Sequence, residues 1–458
     1  MHTSRRRFGL VAVILLTVSA FAGCVSPGSE GTADTSSSTT APSGPAHTLK
    51  VPADYASIQD AVDAARPGDL VLVGAGVYNE AVNVTTDGVV IRGEDRNEVI
   101  LDGKFGYENG IRVLGAKGVA VENMTARNYT SNGFFWTGVD GYRGSYLTAY
   151  NNGDYGIYSF DSVNGVFEHS YGSGSPDAGF YIGGCNPCNV LIDDVVAEYN
   201  GLGYSGTNSG GNLIIANSTF RHNRAGIVPN TGSYEKCYPQ RDNTIVGNLV
   251  YDNNYDDGPA IDSAQLAQEN GILVAGGWDN TILRNRIDDH KLAGVALVPF
   301  PETDATDIEP AEAAATCADQ PKPPADLEVP DTVLWTARHN HVEGNVITNS
   351  GLADLGAFDQ DASHDNCFVG NDFSTSQPTA IETLLPCEGT GTGSFDDNPL
   401  EVMKLIDRET APSGDYKTQP KPPAQKNMPN ALTAKAVAAG APPDFDVDAV
   451  KVPTLPTS

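Results

Sequence analysis

The stretch "VPNTGSYEKCYPQRD", residues 228–242, holds the densest set of groups able to move protons. Tyr234, Glu235, Lys236, Arg241 and Asp242 place an acid, a base and cations in one loop. Taking a proton from the carbon beside a carboxylate needs such a set: a cation for the carboxylate, a base for the proton, and an acid. Lys236 or Arg241 would neutralise, and Tyr234 or Tyr181 would serve as base or acid. Asp154 and Asp177 each stand two residues before a glycine, Gly156 and Gly179, and would share Ca²⁺ if folding brought them together. Turn-forming aspartate is the plainer reading of that pair. Cys185-Asn-Pro-Cys188 has the spacing of redox and zinc motifs, but no thioredoxin-like helix pattern follows it. His339 and His341, in "RHNHVEGN", share a strand face without an identifiable third ligand. No nucleotide fingerprint, Ser/His/Asp signature or zinc-protease helix occurs.

These residues are positioned by a repeat. Gly followed by apolar, any, apolar recurs from Gly88 to Gly294 at intervals of 22, 23, 23, 23, 24, 23, 45 and 23 residues. A second series begins eight to ten residues after most of these glycines, as at Asn189, Asn212 and Asn280, and at Asn243 it is delayed by an insertion. A third follows five residues later, giving pairs such as Asn243/Asn248, Asn280/Asn285, Asn340/Asn345 and Asn366/Asn371. Three short strands per turn describe a rung of a parallel β-helix. Gly and Asn are expected in its left-handed corners, with asparagines stacked along the axis. The 45-residue interval is one rung of 23 plus insertions of eight and 14, and a larger insertion follows Gly294.

Alternation along a strand sends the third residue of each Gly-led tetrad outward. Over successive rungs that column reads Arg112, Phe135, Tyr158, Tyr181, Ser205 and Val228. Phe135, Tyr158 and Tyr181 would form a ladder of rings on which sugars stack, or one that supports the sheet from its solvent side. The 228–242 insertion leaves the corner after this strand and would overhang the column, making a cleft.

The ends and the composition set the context. Residues 1–23 run from Arg5-Arg6-Arg7 through an apolar stretch too short to span a membrane. "SRRRFG" resembles a twin-arginine export signal and "FAGC" a lipobox, which implies cleavage before Cys24 and lipid on its sulfur. Residues 24–47 form a Ser/Thr/Pro linker. Loss of three arginines would move the formal charge from −30 to −33, which speaks against nucleic acid as a partner. The six remaining cysteines favour disulfides: Cys367 with Cys387, and either Cys185 with Cys188 or Cys237 reaching back to one of them. "SIQDAVDAA" reads as a short helix capping the first rung, with Ser57 and Asp60 as its capping box. Residues 394–458 read as a Pro-rich extended tail with a possible helix at Ala431 to Ala438.

"VPADYASIQDAVDAARPGDLVLVGAGVYNEAV" followed by these rungs resembles the right-handed parallel β-helix proteins of the pectin lyase-like superfamily, over roughly residues 48–393. The resemblance implies an all-β solenoid of about ten rungs. It is specific for fold, since none of the catalytic motifs of pectin methylesterases or polygalacturonases is present. The expected function is a surface-anchored monomer acting on an acidic polysaccharide by lyase or uronan epimerase chemistry, with no organic cofactor and membrane contact only through Cys24. Lys236, Arg241, Tyr234 and Tyr181 are the expected catalytic set. Arg112, Phe135, Tyr158, Tyr181 and Glu235 are expected to hold the sugar, and Asp154 with Asp177 any Ca²⁺. The alternative is a non-catalytic carbohydrate-binding or cell-envelope scaffold protein using the same groove.

Overall fold

The computed structural model describes residues 46–303, 317, 332–357, 364–393 and 408–456. The expected leader, Cys24, most of the linker and most of the insertion after Gly294 lie outside the described residues. The chain winds as a right-handed parallel β-helix. Among the described residues, twenty strands join one sheet and eleven a second. In a typical rung, Ala178–Gly183 lies in the second sheet, and Val190–Asp193 and Val196–Glu198 follow in the first. Leu202–Thr207 then returns to the second sheet, with Phe180 beside Tyr204 and Tyr181 beside Ser205. Inward residues such as Phe134, Ile157, Phe180, Tyr204 and Ile227 stack into one fully buried core. No rung could bury that surface alone, so neighbouring rungs stabilise each other.

Gly88 has the left-handed φ expected of it, at 67°, but the rung glycines from Gly110 onward serve a different purpose. Gly156 and Gly179 are not among the residues with positive φ. A Cβ on Gly156 would lie 2.7 Å from the Gly179 carbonyl oxygen, and one on Gly179 would lie 2.8 Å from Asn200 Nδ2. Close approach of stacked rungs therefore requires glycine here. The left-handed corners belong to Gly88, Gly118 and Gly141, as expected of glycine, then to Asn164, Asn189 and Asn212, and then to Asp242, Asp279, His339 and Asp365. One residue further in, Asn280, Asn340 and Asn366 form a buried ladder with amide bonds of 2.9 Å. A second ladder joins Asn248, Asn285, Asn345 and Asn371 at 2.9–3.0 Å. Each such side chain meets the corner's buried backbone groups, which would otherwise be costly to desolvate.

The first rung is capped by α1, Ile58–Ala64, whose Ser57 hydroxyl accepts from the Asp60 N–H at 3.0 Å. Ile58, Ala61 and Val62 turn inward and cover the open end. A second helix, α2, Asp262–Ala267, lies on the outside of the second sheet. Its Ala264 and Ala267 pack on Ala178, Leu202 and Ala225, a cluster separate from the core.

The described part of the tail is extended and firmly docked. Arg92 donates to the carbonyls of Ala431, Ala434 and Lys435 at 3.2, 2.7 and 3.3 Å. Arg143 holds Val437 O at 2.9 Å, Arg284 holds Val447 O at 2.7 Å and Val450 O at 2.9 Å, and Arg286 holds Pro453 O at 2.6 Å. Phe445, Val447 and Val450 cover an apolar patch of Ala216, Val246 and Leu283 on the first sheet. The possible helix at Ala431 to Ala438 is absent: a single turn forms, with Ala434 N–H on Asn430 O at 2.7 Å, and the next carbonyls go to Arg92.

Candidate functional site

Strand register puts Asn83, Arg112, Phe135, Tyr158, Tyr181, Ser205 and Val228 in one outward column of the second sheet, one residue per rung. The rings of Phe135 and Tyr158 lie 4.9 Å apart, and those of Tyr158 and Tyr181 are stacked at 4.7 Å. Phe135 and Tyr158 are half-buried and form an aromatic floor. Arg112 continues it at the open end, with Nε on Asn83 Oδ1 at 3.0 Å. Tyr155, which the repeat pattern passes over because it directly precedes the rung glycine, joins the group. Its ring stands 4.5 Å from Tyr158 and 4.8 Å from Tyr181. Strict alternation would have put Tyr155 on the inward face with Ile157, so the repeat pattern gives no signal for it.

Two insertions wall this floor. One is α2, tied down by the Ile261 N–H on Pro176 O at 3.1 Å. The other is the 228–242 loop, fastened by Asn208 Nδ2 on Glu235 O at 2.8 Å and by the Cys237–Cys317 disulfide. The tail adds a lip that the sequence does not announce. Tyr416 packs over Gly153, where a Cβ would lie 3.2 Å from its ring, and meets Phe105 edge-on at 5.8 Å.

The overhang is real, and it changes what Tyr181 can do. Tyr181 is fully buried, not solvent-facing, because Glu235 closes over it and accepts from its hydroxyl at 2.5 Å. Burial lifts the Glu235 carboxyl to about 7, and this outweighs the lowering effect of the Tyr181 hydrogen bond. The Tyr181 phenol is pushed well up, by burial first and then by the Glu235 charge. The Tyr234 ring is 63 % exposed, while its hydroxyl end reaches in beside Thr207.

The two expected cations are not at the tyrosines. Lys236 Nζ is drawn onto Asp161 at 2.7 Å. Arg241 opens a strand of the first sheet, around the corner, and faces the Asn186 side chain. An opposite charge thus holds Lys236 away from the tyrosines, and the start of a first-sheet strand holds Arg241 away from them.

The carboxyls, by contrast, do come together. The Asp177 N–H donates to Asp154 O at 3.1 Å, so the two aspartates stack one rung apart. Asp177 is 6 % exposed, and its Oδ1 has no hydrogen-bond partner among the described residues. Burial, then the charges of Asp154 and Glu235, hold its pKa well above the usual carboxylate range. Asp154 is half-buried and is pushed up to about 6 by burial. Among the described residues, the grouping of three close metal-type ligands is His341, Cys367 and Cys387. Two of its sulfurs are bonded to each other in a disulfide. Cys185 and Cys188 likewise form a disulfide, which closes a corner of the solenoid. His339 sits in a left-handed corner 3.4 Å from Asp279, apart from His341, which pairs with Glu343 at 2.8 Å.

The raised carboxyls carry a pH consequence. Glu235 and Asp154 bind protons more tightly in the folded chain than at their ordinary values of 4.5 and 3.8. Their contribution is fully present below those values and is lost as pH rises through about 6 and about 7. The urea midpoint should therefore fall as pH rises across this window, and Glu235→Gln should flatten its upper part. A midpoint that rises there, unchanged by the substitution, would contradict the assignment.

No curated protein matches the chain. The family model described as "Right handed beta helix region" matches residues 132–299. Among solved structures, the A-module of a mannuronan C-5 epimerase from Azotobacter vinelandii is 18 % identical, with TM-score 0.49, covering 71 % of this chain and 92 % of its own. An alginate lyase from a Paenibacillus strain is 16 % identical, with TM-score 0.38, covering 55 % and 90 %. An α-1,3-glucanase catalytic unit from Streptomyces thermodiastaticus is 12 % identical, with TM-score 0.41, covering 69 % and 66 %. The strand register and the family model identify the fold as a right-handed parallel β-helix.

Proposed function

We propose that the chain binds an acidic polysaccharide along the outer face of the second sheet and moves protons on it at Asp154, by lyase or uronan epimerase chemistry. The observation that carries this reading is the half-exposed ladder of Phe135 and Tyr158 ending at a half-buried carboxyl pushed up to about 6. Aromatic faces offer sugar rings apolar contact, and a pKa near neutrality suits a general acid or base. Rings spaced by one rung match successive sugars of an extended chain. Arg112 at the open end supplies a cation for a uronate carboxylate one residue along. Asp154 takes the proton in its ionised form. Asp177 lies behind it and keeps its own proton, because burial and then the charges of Asp154 and Glu235 raise its pKa well above the carboxylate range.

Retention on an immobilised uronan tests the binding half. Tyr158→Ala should weaken retention by about tenfold, which corresponds to about 1.4 kcal/mol. Lys236→Ala with Arg241→Ala should leave it nearly unchanged. The reverse pattern would move the site back to the loop. A non-catalytic role has one observation in its favour: Tyr181 is sealed beneath that loop by Glu235. Retention without turnover would select it.

A further inference from the structure

The tail brings a second cation to the Arg112 end of the groove. Gly153 precedes the strand of Tyr158, and Phe105 precedes that of Arg112, so the two lie two rungs apart, about 10 Å along the axis. Tyr416 bridges them. The next residue, Lys417, extends over the far ring, with Nζ 5.3 Å from the centre of Phe105 and 5.6 Å from that of Tyr416. The backbone beneath this side chain is fixed on both sides. Before it, the Ala260 N–H donates to Ser413 Oγ at 2.8 Å and the Gly414 N–H to Gly258 O at 2.9 Å. After it, Gln419 is buried and donates to Asp257 O at 3.2 Å. Asp415 Oδ1 accepts from the Lys417 N–H at 3.0 Å and starts a single 3₁₀ turn, Tyr416–Thr418.

Lys417 itself is exposed. Among the described residues the ion-paired lysines are Lys236 and Lys291. Lys417 has ring faces in place of a carboxylate, and so keeps its charge and its N–H donors for an incoming anion. With 58 acidic against 28 basic residues, the chain as a whole repels a polyanion. Cations along the groove therefore decide whether one can settle there. We propose that Lys417 is a specificity residue: its ammonium binds a uronate carboxylate at the level of Arg112, on a polymer whose sugars lie on Phe135 and Tyr158. The tail thereby selects acidic over neutral glycans. This rests on the carbohydrate reading of the groove.

The test is retention on immobilised alginate and polygalacturonate, and on the same polymers after reduction of their carboxyls. The unmodified protein should hold the polyuronates more tightly than the reduced polymers. Lys417→Gln should weaken retention on the polyuronates about fivefold, near the upper limit for one exposed ion pair, and leave the reduced polymers unchanged. Lys417→Arg should behave as the unmodified protein does. Equal retention of the unmodified protein and Lys417→Gln on the polyuronates would overturn the proposal. So would an equal fall on charged and reduced polymers, which would make Lys417 a prop for the lip. Tyr158→Ala separates this from the reading beneath it. If Tyr158→Ala loses retention and Lys417→Gln does not, the groove stands and Lys417 fails. If none of the four polymers retains the unmodified protein, the groove fails and Lys417 with it.

Discussion

Replacing Glu122 by leucine should destabilise the chain by about 3–5 kcal/mol, the cost of leaving a buried charge without its partner. Arg92 and Glu122 are each 1 % exposed on the outer face of the first sheet. Glu122 accepts from Arg92 Nε at 2.7 Å and from Arg143 Nη2 at 2.5 Å. The remaining donors of Arg92 hold three tail carbonyls. Without the carboxylate, one buried guanidinium has only neutral acceptors, and the tail that covers it loses its anchor. The double variant Arg92→Leu with Glu122→Leu should lose less than Glu122→Leu alone, because no charge stays buried. Urea denaturation followed by tryptophan fluorescence reads both, and limited proteolysis between residues 420 and 440 reports whether the tail has lifted. A loss below about 1 kcal/mol, a value typical of exposed pairs, would contradict the buried-pair account.

The second large effect concerns chemistry. Asp154→Asn keeps the shape of the side chain and removes its ability to take a proton. If Asp154 is the base, turnover of the responsive polymer should fall by about 10²–10⁴-fold, the usual contribution of a positioned acid or base. Retention on the same polymer should change little, because Phe135 and Tyr158 remain. Unchanged turnover would remove Asp154 from the reaction. An equal fall in Lys236→Ala would restore the cation of the loop to a role that its 2.7 Å pairing with Asp161 argues against.

Much of this architecture was legible in the residues because a solenoid repeats its physics every turn. The spacing of Gly133, Gly156 and Gly179 marks the rungs, and period-two alternation then puts Phe135, Tyr158 and Tyr181 in one column, as the register has it. The reason for the rung glycines from Gly110 onward was misread, since a close approach and a left-handed turn leave the same letter in a sequence. What the repeat could not convey is whatever lies on top of it. The insertion length indicates an overhang, but not that Glu235 would close on Tyr181 and bury it. Nor does it indicate that Lys236 would find Asp161, a residue 75 positions away. Charges inside an insertion choose partners across rungs, and one sequence carries no register for those contacts. The tail was opaque for a related reason. It is held mainly through its carbonyls by Arg92, Arg143, Arg284 and Arg286, and backbone acceptors have no sequence signature. Tyr416 at the lip of the groove could not be foreseen from a Pro-rich stretch.

The most direct test of the proton-transfer account is proton NMR of a panel of uronan polymers incubated with the protein in deuterium oxide. The same samples are followed by ultraviolet absorbance for unsaturated ends. The account predicts, for at least one polymer, loss of the proton beside the carboxylate, either to solvent deuterium or with a new double bond, and no such change with Asp154→Asn. Polymers held firmly on the gel yet unchanged in both spectra would contradict it and leave a binding protein in its place.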